Sequence, residues 1–460
     1  MDTITAPKPL PGPKPFLGLK NIVDMSQKGL LEFIEKNRQI YGDIFEVQMG
    51  PKKLVIVINP EHVRHITMMQ ASNYEKLESY DGVRKYIIGN GLVTSTGEVW
   101  KRQRRLMAPF YTPRGIESFA GIMLRDTLAA RERWRQLATE QPDIEMFDEM
   151  ALVTASIVLK AIFSTESPEA ILEIKEAVET MTDYAGSKLT NPLKPPDWVP
   201  TGENNRYWKA HKSTHDFINK IIDARLKMDE ADYPDDLLSK LITATDPETG
   251  ERMSRDMLRD EALTNFFAGY ETSARTMTHV WYALAQNPEV KARLHEELDR
   301  ELGVEEPSLA TLKRLPYTLR VIKEALRLYP PAPVYAKDVI EDDVMDGYRI
   351  SKGSVVLLCP YFTHRHPEFW DEPQSFNPDR HAPENEKLRH PQAFHPFGSG
   401  PRICLGNHFS LLETHIILAI LAREFDPKLL PDYDANFVAK SLLVMENGLP
   451  MTLEKRSDQV

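Results

Sequence analysis

Phe397-Gly398-Ser399-Gly400-Pro401-Arg402-Ile403-Cys404-Leu405-Gly406 reads as a loop built to hold a sulfur anion. Glycines at 398 and 400 permit backbone turns that a Cβ would block. Cys404 stands just ahead of a long helical pattern at about 405–424. Helix starts carry unpaired N–H groups and the positive end of the helix dipole. Both favour thiolate over thiol, and Arg402 adds a cation nearby. A lone cysteine is ordinarily a small buried hydrophobe. Here six fixed residues, at about 5% usage each, would coincide on the order of once in 10⁸ positions, so chance does not account for the loop.

The rest of the chain is that of a globular protein. It has 460 residues, 42% hydrophobic and 27% charged, and this apolar content excludes disorder as the dominant state. The net charge of −11 argues against general nucleic-acid affinity. Two cysteines, Cys359 and Cys404, make neither a disulfide framework nor a Cys₄ metal site and point to a reducing compartment. Cys359 lies in the apolar run Val355–Cys359 and reads as structural. No basic-then-apolar leader opens the chain, and no apolar run approaches 18 residues. The expectation is a soluble, cytoplasmic protein.

Outward from the loop, helix dominates. Prolines outnumber glycines, 34 to 22, and residues 7–16 (PKPLPGPKPF) form a stiff extended lead-in, neither helix nor central strand. A helix is expected at 26–40, a strand pair at 43–49 and 53–58 around Gly50-Pro51, and a helix at 60–70. From about 97 to 329 the pattern is almost wholly helical, with breaks near 141, 166, 191–201 and 246–251. Within it Ser254–Gln286 is one helical pattern of roughly 48 Å, stopped by Asn287-Pro288. A helix at 311–328 ends at Pro330-Pro331. Short strands follow at 348–350 and 355–358, an irregular stretch at 359–403, and closing strands at 437–455. This is a mainly α protein with a minor β region, expected to be a single domain over 1–460 with 1–17 as its lead-in.

Three further motifs carry chemistry. In the long helix, Ala268-Gly269-Tyr270-Glu271-Thr272 places a glycine in mid-helix, at a cost of about 1 kcal/mol relative to alanine. Something must approach closely there, or the helix opens locally. Ala268 and Thr272 share a face, and Thr272 either bonds back to the 268 carbonyl or turns to a guest. Glu324-Ala325-Leu326-Arg327 is an i,i+3 ion pair with apolar flanks (Val321, Ile322, Leu326, Leu328), so partial burial is expected. Trp100-Lys101-Arg102-Gln103-Arg104 sets an indole N–H and a guanidinium at i,i+4, which is either a grip for an anion or a solvated basic helix face.

Together these motifs resemble the cytochrome P450 family over nearly the whole chain. F-G-x-G-x-R-x-C-x-G is similar to that family's haem-ligand loop. The resemblance implies a mostly helical triangular prism with haem between the long helix and the cysteine loop. It makes Cys404 the axial iron ligand, whose thiolate donates electron density and favours O–O cleavage. The segment 268–272 resembles the oxygen-binding groove, where Thr272 and Glu271 supply the protons that oxygen activation consumes. Glu324 and Arg327 resemble the E-x-x-R pair, joined by Arg380 of Phe376-Asn377-Pro378-Asp379-Arg380 in holding the cysteine loop. His381 follows where an aromatic residue is common, a departure expected to leave the triad intact. Trp100, Arg104 and Arg402 become propionate partners, with Lys337 where arginine is common. Phe397 and Ala268 complete the expected haem contacts.

The implied reaction is monooxygenation: R–H + O₂ + two electrons + two protons → R–OH + H₂O. Electrons must come from separate proteins, a ferredoxin or flavodoxin with an NAD(P)H-dependent reductase. Lys101, Arg102 and Arg105 are either a basic patch that steers such a partner or a plain solvated face. A hydrophobic substrate (a fatty acid, terpenoid or steroid-like molecule) is expected among Tyr80, Val83, Tyr86, Ile87 and Leu92, with Phe266–Ala268, Ala332, Val334 and Leu442–Val444, about half of which are ordinary core. Two alternatives remain open. One is an H₂O₂-driven peroxygenase of the same fold, against which the Glu271-Thr272 pair counts. The other is a non-catalytic haem sensor or electron carrier, which needs no proton relay.

Overall fold

A computed structural model describes residues 7–13, 18–165, 167–190, 194–303 and 305–456. The expected break near 166, part of that at 191–201, and residues 1–6 and 14–17 of the lead-in lie outside the described residues. The chain packs as two compact units: residues 1–79, 323–404 and 435–447, and residues 80–322, 405–434 and 448–460.

The first unit holds most of the β structure. Its main sheet has five strands in the order Ile44–Met49, Lys52–Val57, Val355–Leu358, Tyr335–Val339, Tyr74–Glu75. The first two form the expected hairpin, Ile44 opposite Val57 and Met49 opposite Lys52. Lys52–Val57 then runs parallel to Val355–Leu358, and Tyr335–Val339 runs antiparallel to it. Side chains alternate across the pleat. Val55, Val57, Val356 and Leu358 pack on one face with Val63, Ile66 and Ile350. Phe45, Val47, Ile56, Ile58 and Cys359 pack on the other with Phe33 and Ile34. Cys359 is therefore structural, and burial pushes its thiol up to about 12. In the lead-in, Lys8–Pro9 adds a short parallel strand beside Tyr348–Ile350. The helix expected at 26–40 is two, Leu19–Lys28 and Leu30–Tyr41, because Gly29 adopts φ +78° between them. The helix expected at 60–70 ends its α turns at Arg64 and widens to a π-turn over His65–Met69.

The second unit is helical. Arg255–Gln286 runs 32 residues, begins where Ser254 Oγ accepts the Met257 N–H at 3.2 Å, and stops at Asn287-Pro288 as expected. It packs most extensively on Met146–Phe163. Gly269 sits at this seam: a Cβ there would meet the Val158 methyls at 3.2 and 3.3 Å, so any side chain would need Val158 to give by a few tenths of an ångström. The helix does not open at this point, so the glycine is answered by a neighbouring side chain. Trp134 is fully buried against Trp281 (5.7 Å between ring centroids) and Phe425 (5.4 Å). The region expected as one helix at 311–328 is broken by Leu315-Pro316 into Leu309–Leu312 and Pro316–Leu328. Among the described residues no helix is long and apolar enough to cross a membrane.

Candidate active site

The cysteine loop closes on itself. The Cys404 N–H donates to Phe397 O at 2.8 Å, Gly398 N–H to His395 O at 3.0 Å, and Ile403 N–H to Gly400 O at 3.1 Å. Gly398 and Gly400 sit at φ +74° and +70°. A Cβ at 400 would lie 1.8 Å from Thr67 O, so only glycine lets the loop rest on that backbone. The helix that follows starts at Asn407, slightly later than expected. Cys404 is exposed, whereas Cys359 is buried.

A cluster of three basic side chains lies in the first unit, and one of them, Lys76, interacts electrostatically with Cys404, Arg402 and Lys337. Arg402 is nearly buried and donates to Glu75 Oε2 at 2.6 Å. Lys337, on the strand Tyr335–Val339, is 3% exposed and donates to Tyr74 O at 3.0 Å. Burial pushes its ammonium down to about 8, and Arg402 acts in the same direction. Lys76 keeps some accessible surface but is crowded by protein. That desolvation, with Arg402 and Lys337, pushes it down to about 7 against the pull of Cys404 and Glu75. Lys337 and Arg402 are candidates in the sequence, whereas Lys76, a lysine after a two-residue strand, carries no motif that singles it out.

The loop is held by a buried ionic lock, all of it in the first unit. Glu324 and Arg327 are both fully buried and meet bidentately, Nε to Oε2 and Nη2 to Oε1, each at 2.8 Å. Arg327 also donates to the carbonyls of His364 (2.9 Å), Pro373 (2.7 Å) and Ser375 (2.9 Å). Glu324 accepts the Asn377 N–H at 2.9 Å. Its closest additional side-chain partner is His381, Nε2 to Oε2 at 3.1 Å. Arg380 stands at 3.5 Å and gives its hydrogen bonds to Glu372 O and Ser375 Oγ. The expected triad is intact, with Arg380 in its ion pair to Glu324, and the departure at 381 adds a closer partner beside it. Burial alone would raise the Glu324 carboxyl, but Arg327 and His381 bring it below its ordinary value. His364 carries the lock to the loop. Its Nδ1 lies 3.2 Å from Arg327 O, and its Nε2 accepts the His395 N–H at 2.9 Å. Nδ1 must therefore bear the hydrogen and the ring must be neutral, and burial holds its pKa well below the ordinary histidine value. The chain Arg327–His364–His395–Gly398 ends inside the cysteine loop.

In the second unit, Thr272 Oγ1 donates to Ala268 O at 2.8 Å, which confirms their common face. Glu271 is largely buried and pairs with Arg275 one turn on, at 3.3 Å. Burial raises its carboxyl and Arg275 opposes the rise. Arg275 in turn lies 3.5 Å over the Phe147 ring. Trp100 and Arg104 share the helix Gly97–Met107 at the expected one-turn spacing. Lys101, Arg102 and Arg105 are not a free basic patch. Lys101 pairs with Glu98 (2.6 Å), Arg105 with Asp246 and Glu248 (2.9 and 3.0 Å), and Arg102 with Glu251 (3.1 Å). The acidic break at 246–251 neutralises the two arginines, and Lys101 pairs within its own helix. Of the residues expected around a substrate, Phe266 is core, stacked on Tyr270 at 4.9 Å. Ile87, Leu443 and Val444 are buried as well.

The fold and this set of side chains define a haem-thiolate oxygenase. The family model for Cytochrome P450 matches residues 7–452. Cyclooctatin synthase of Streptomyces melanosporofaciens is 34% identical over 85% of this chain and 84% of its own. Cyclooctat-9-en-7-ol 5-monooxygenase of the same organism is 31% identical over 83% and 82%. The crystal structure of the cytochrome P450DA heme domain superposes with a TM-score of 0.88 at 27% identity, over 98% of this chain and 99% of that one. The chain belongs to the cytochrome P450 family: it is a monooxygenase whose cofactor is protohaem with an axial cysteine thiolate. The groups present fit that cofactor. Arg402, Lys337 at about 8 and Lys76 at about 7 stand against one carboxylate, Glu75, so the cluster gains positive charge when an anion arrives, and Cys404, the exposed thiol, interacts with Lys76.

Proposed function

We propose that Cys404 is the axial ligand and that Trp100, Arg104, Arg402 and Lys337 hold the propionates, with Phe397 and Ala268 against the ring. The two packing units act together as one haem domain. When bound, the haem supplies the redox chemistry that inserts one oxygen atom of O₂ into a C–H bond. The chain's own residues manage protons and position. Thr272 donates its hydrogen to Ala268 O at rest, which leaves its oxygen free to accept, and rotation about χ1 would redirect the same O–H toward a guest. Glu271, held up by burial and restrained by Arg275, is the acid that refills it. The exposed thiol and its interaction with the basic cluster through Lys76 carry this reading.

The substrate is a hydrophobic small molecule. The names of two relatives, a cyclooctatin synthase and a cyclooctat-9-en-7-ol 5-monooxygenase, favour a terpenoid over a fatty acid or steroid. Electrons come from a ferredoxin or flavodoxin with its NAD(P)H-dependent reductase, in the cytoplasm. With Lys101, Arg102 and Arg105 internally paired, that partner docks on some other surface.

Cys404→Ser tests the reading, because a neutral hydroxyl cannot replace the thiolate's electron donation. The reduced, CO-bound spectrum of the variant should lose the thiolate signature; a maximum unchanged from wild type removes Cys404 as ligand. Turnover with NAD(P)H and surrogate partners, against H₂O₂ alone, separates the monooxygenase from the peroxygenase. A spin-state screen with terpenoids and fatty acids identifies the substrate class.

A further inference from the structure

Residues 89–94 lie on the N-terminal half of the long helix and are fastened there by buried polar groups. Asp260 Oδ2 accepts the Asn90 N–H at 2.9 Å, and Glu261 Oε2 accepts the Leu92 N–H at 3.2 Å. From the helix Gly97–Met107, Gln103 Nε2 donates to Asn90 O at 2.8 Å. Two glycines permit the approach: a Cβ at 89 would lie 2.5 Å from the Asp260 carboxylate, and one at 91 would lie 1.9 Å from Thr264 Oγ1. Glu261 is completely buried. Its Oε1 has no hydrogen-bond partner among the described residues, and neither has Thr264 Oγ1.

We infer that Glu261 is a proton-operated clasp: its neutral carboxyl holds residues 89–94 on the long helix and so positions segment 80–92, and loss of the proton loosens that segment. The second half of this statement rests on the proposed reading that 80–92 borders the substrate. A carboxylate at this place would have one N–H donor among the described residues and no surface open to solvent, so opening the strap is its route to solvation. The charged neighbours do not relieve it. On its own helix Asp260 is a like charge, already paired with Arg259 at 2.8 Å. On the strap side Arg84 is engaged by Asp81 and Thr94 O. On the helix Gly97–Met107, Arg102 and Arg105 are taken by the 246–251 acids. From Gly202–Arg225, His211 and His215 stand beside Arg259 and are held neutral by burial. Lys240 of Leu237–Thr243 pairs with Asp235, and Lys160 of Met146–Phe163 pairs with Asp126.

The sign follows from linkage. Burial lifts the Glu261 carboxyl from 4.5 to about 8 in the closed state. Between those values only the closed state keeps the proton, so the open-to-closed ratio rises about tenfold per pH unit and levels above about pH 8. Glu261 is a positioning residue, and the readout is amide hydrogen exchange of residues 90–94 in the holoprotein, corrected for intrinsic rates, from about pH 6 to about pH 9. In wild type the opening constant should climb about fiftyfold from pH 6 to pH 8 and level off at about a hundredfold above that, while amides in the middle of the long helix do not follow. Glu261→Gln should be flat throughout at the low-pH level. A flat wild-type profile, or a slope that survives in Glu261→Gln, overturns the inference; the wild-type profile decides alone if the variant does not fold. The dissociation rate of a haem-binding azole, measured over the same range, should follow the exchange curve in wild type and not in the variant. If exchange responds and the azole does not, the clasp stands and segment 80–92 does not border the substrate.

Discussion

Glu324→Ala should prevent assembly of a stable holoprotein, and the lock around it shows why. Arg327 would keep its three carbonyl acceptors but lose its only bidentate counter-charge in a place with no solvent access. Removing one partner of a buried pair costs about 3–5 kcal/mol. The Asn377 N–H, which now donates to Glu324, would be stranded at a further cost of about 1–3 kcal/mol if it stays buried. Against a total stability of about 5–15 kcal/mol, the sum is large enough to leave much of the protein unable to retain haem. His381→Phe removes one hydrogen bond to a charged group, about 1.5–3 kcal/mol, and should fall between Glu324→Ala and Arg380→Ala. Arg380, at 3.5 Å with its own acceptors on Glu372 and Ser375, should cost least. The assay is haem per protein after purification, with the fraction of reduced, CO-bound protein that keeps the thiolate signature. If Arg380→Ala loses more haem than His381→Phe, the histidine is a bystander and the family's usual arginine carries the lock. If Glu324→Ala retains wild-type haem, the lock does not hold the loop.

Three further outcomes are expected. Thr272→Ala removes a hydroxyl that bonds only along its own helix in the resting state, so haem content should hold while product formed per NAD(P)H falls and peroxide rises; an unchanged ratio places the proton route elsewhere. Arg104→Ala and Trp100→Phe should each weaken haem retention by a charge-assisted hydrogen bond, about 1.5–3 kcal/mol, measured as the rate of haem transfer to an acceptor apoprotein; a rate equal to wild type removes that residue from the propionate grip. Acid should loosen the cysteine loop: burial pushes the His364 imidazole well below 6.5 and that of His395 to about 3. The unfolded chain therefore binds protons below about pH 6.5 that the folded lock refuses, and stability falls as pH falls through that window. Loss of the thiolate signature between about pH 6.5 and pH 5 should be slower in His395→Phe than in wild type, and identical acid profiles would exclude the pair as the cause.

What was legible in the sequence is what local chemistry writes into a short window. Gly398, Gly400, Arg402 and Cys404 stand within seven residues, and each has a role that glycine φ or charge alone requires. Ser254 and Asn287-Pro288 bound the long helix to within a residue because capping and proline exclusion are local rules. The hairpin about Gly50-Pro51 was legible for the same reason. What stayed hidden depends on residues distant in the chain. Lys76 becomes part of the cation cluster only because the strand Tyr74–Glu75 pairs with Tyr335–Val339 and so brings it beside Lys337. Arg102 and Arg105 look like part of a docking patch until 246–251 pairs with them, about 140 residues away. Gly269 illustrates the limit most sharply. Its helical cost announced either a close approach or a local opening of the helix. The partner that arrived, Val158, belongs to a helix more than a hundred residues earlier, so the glycine explains how two helices pack and leaves Thr272 and Glu271 to argue for the oxygen groove by their own chemistry.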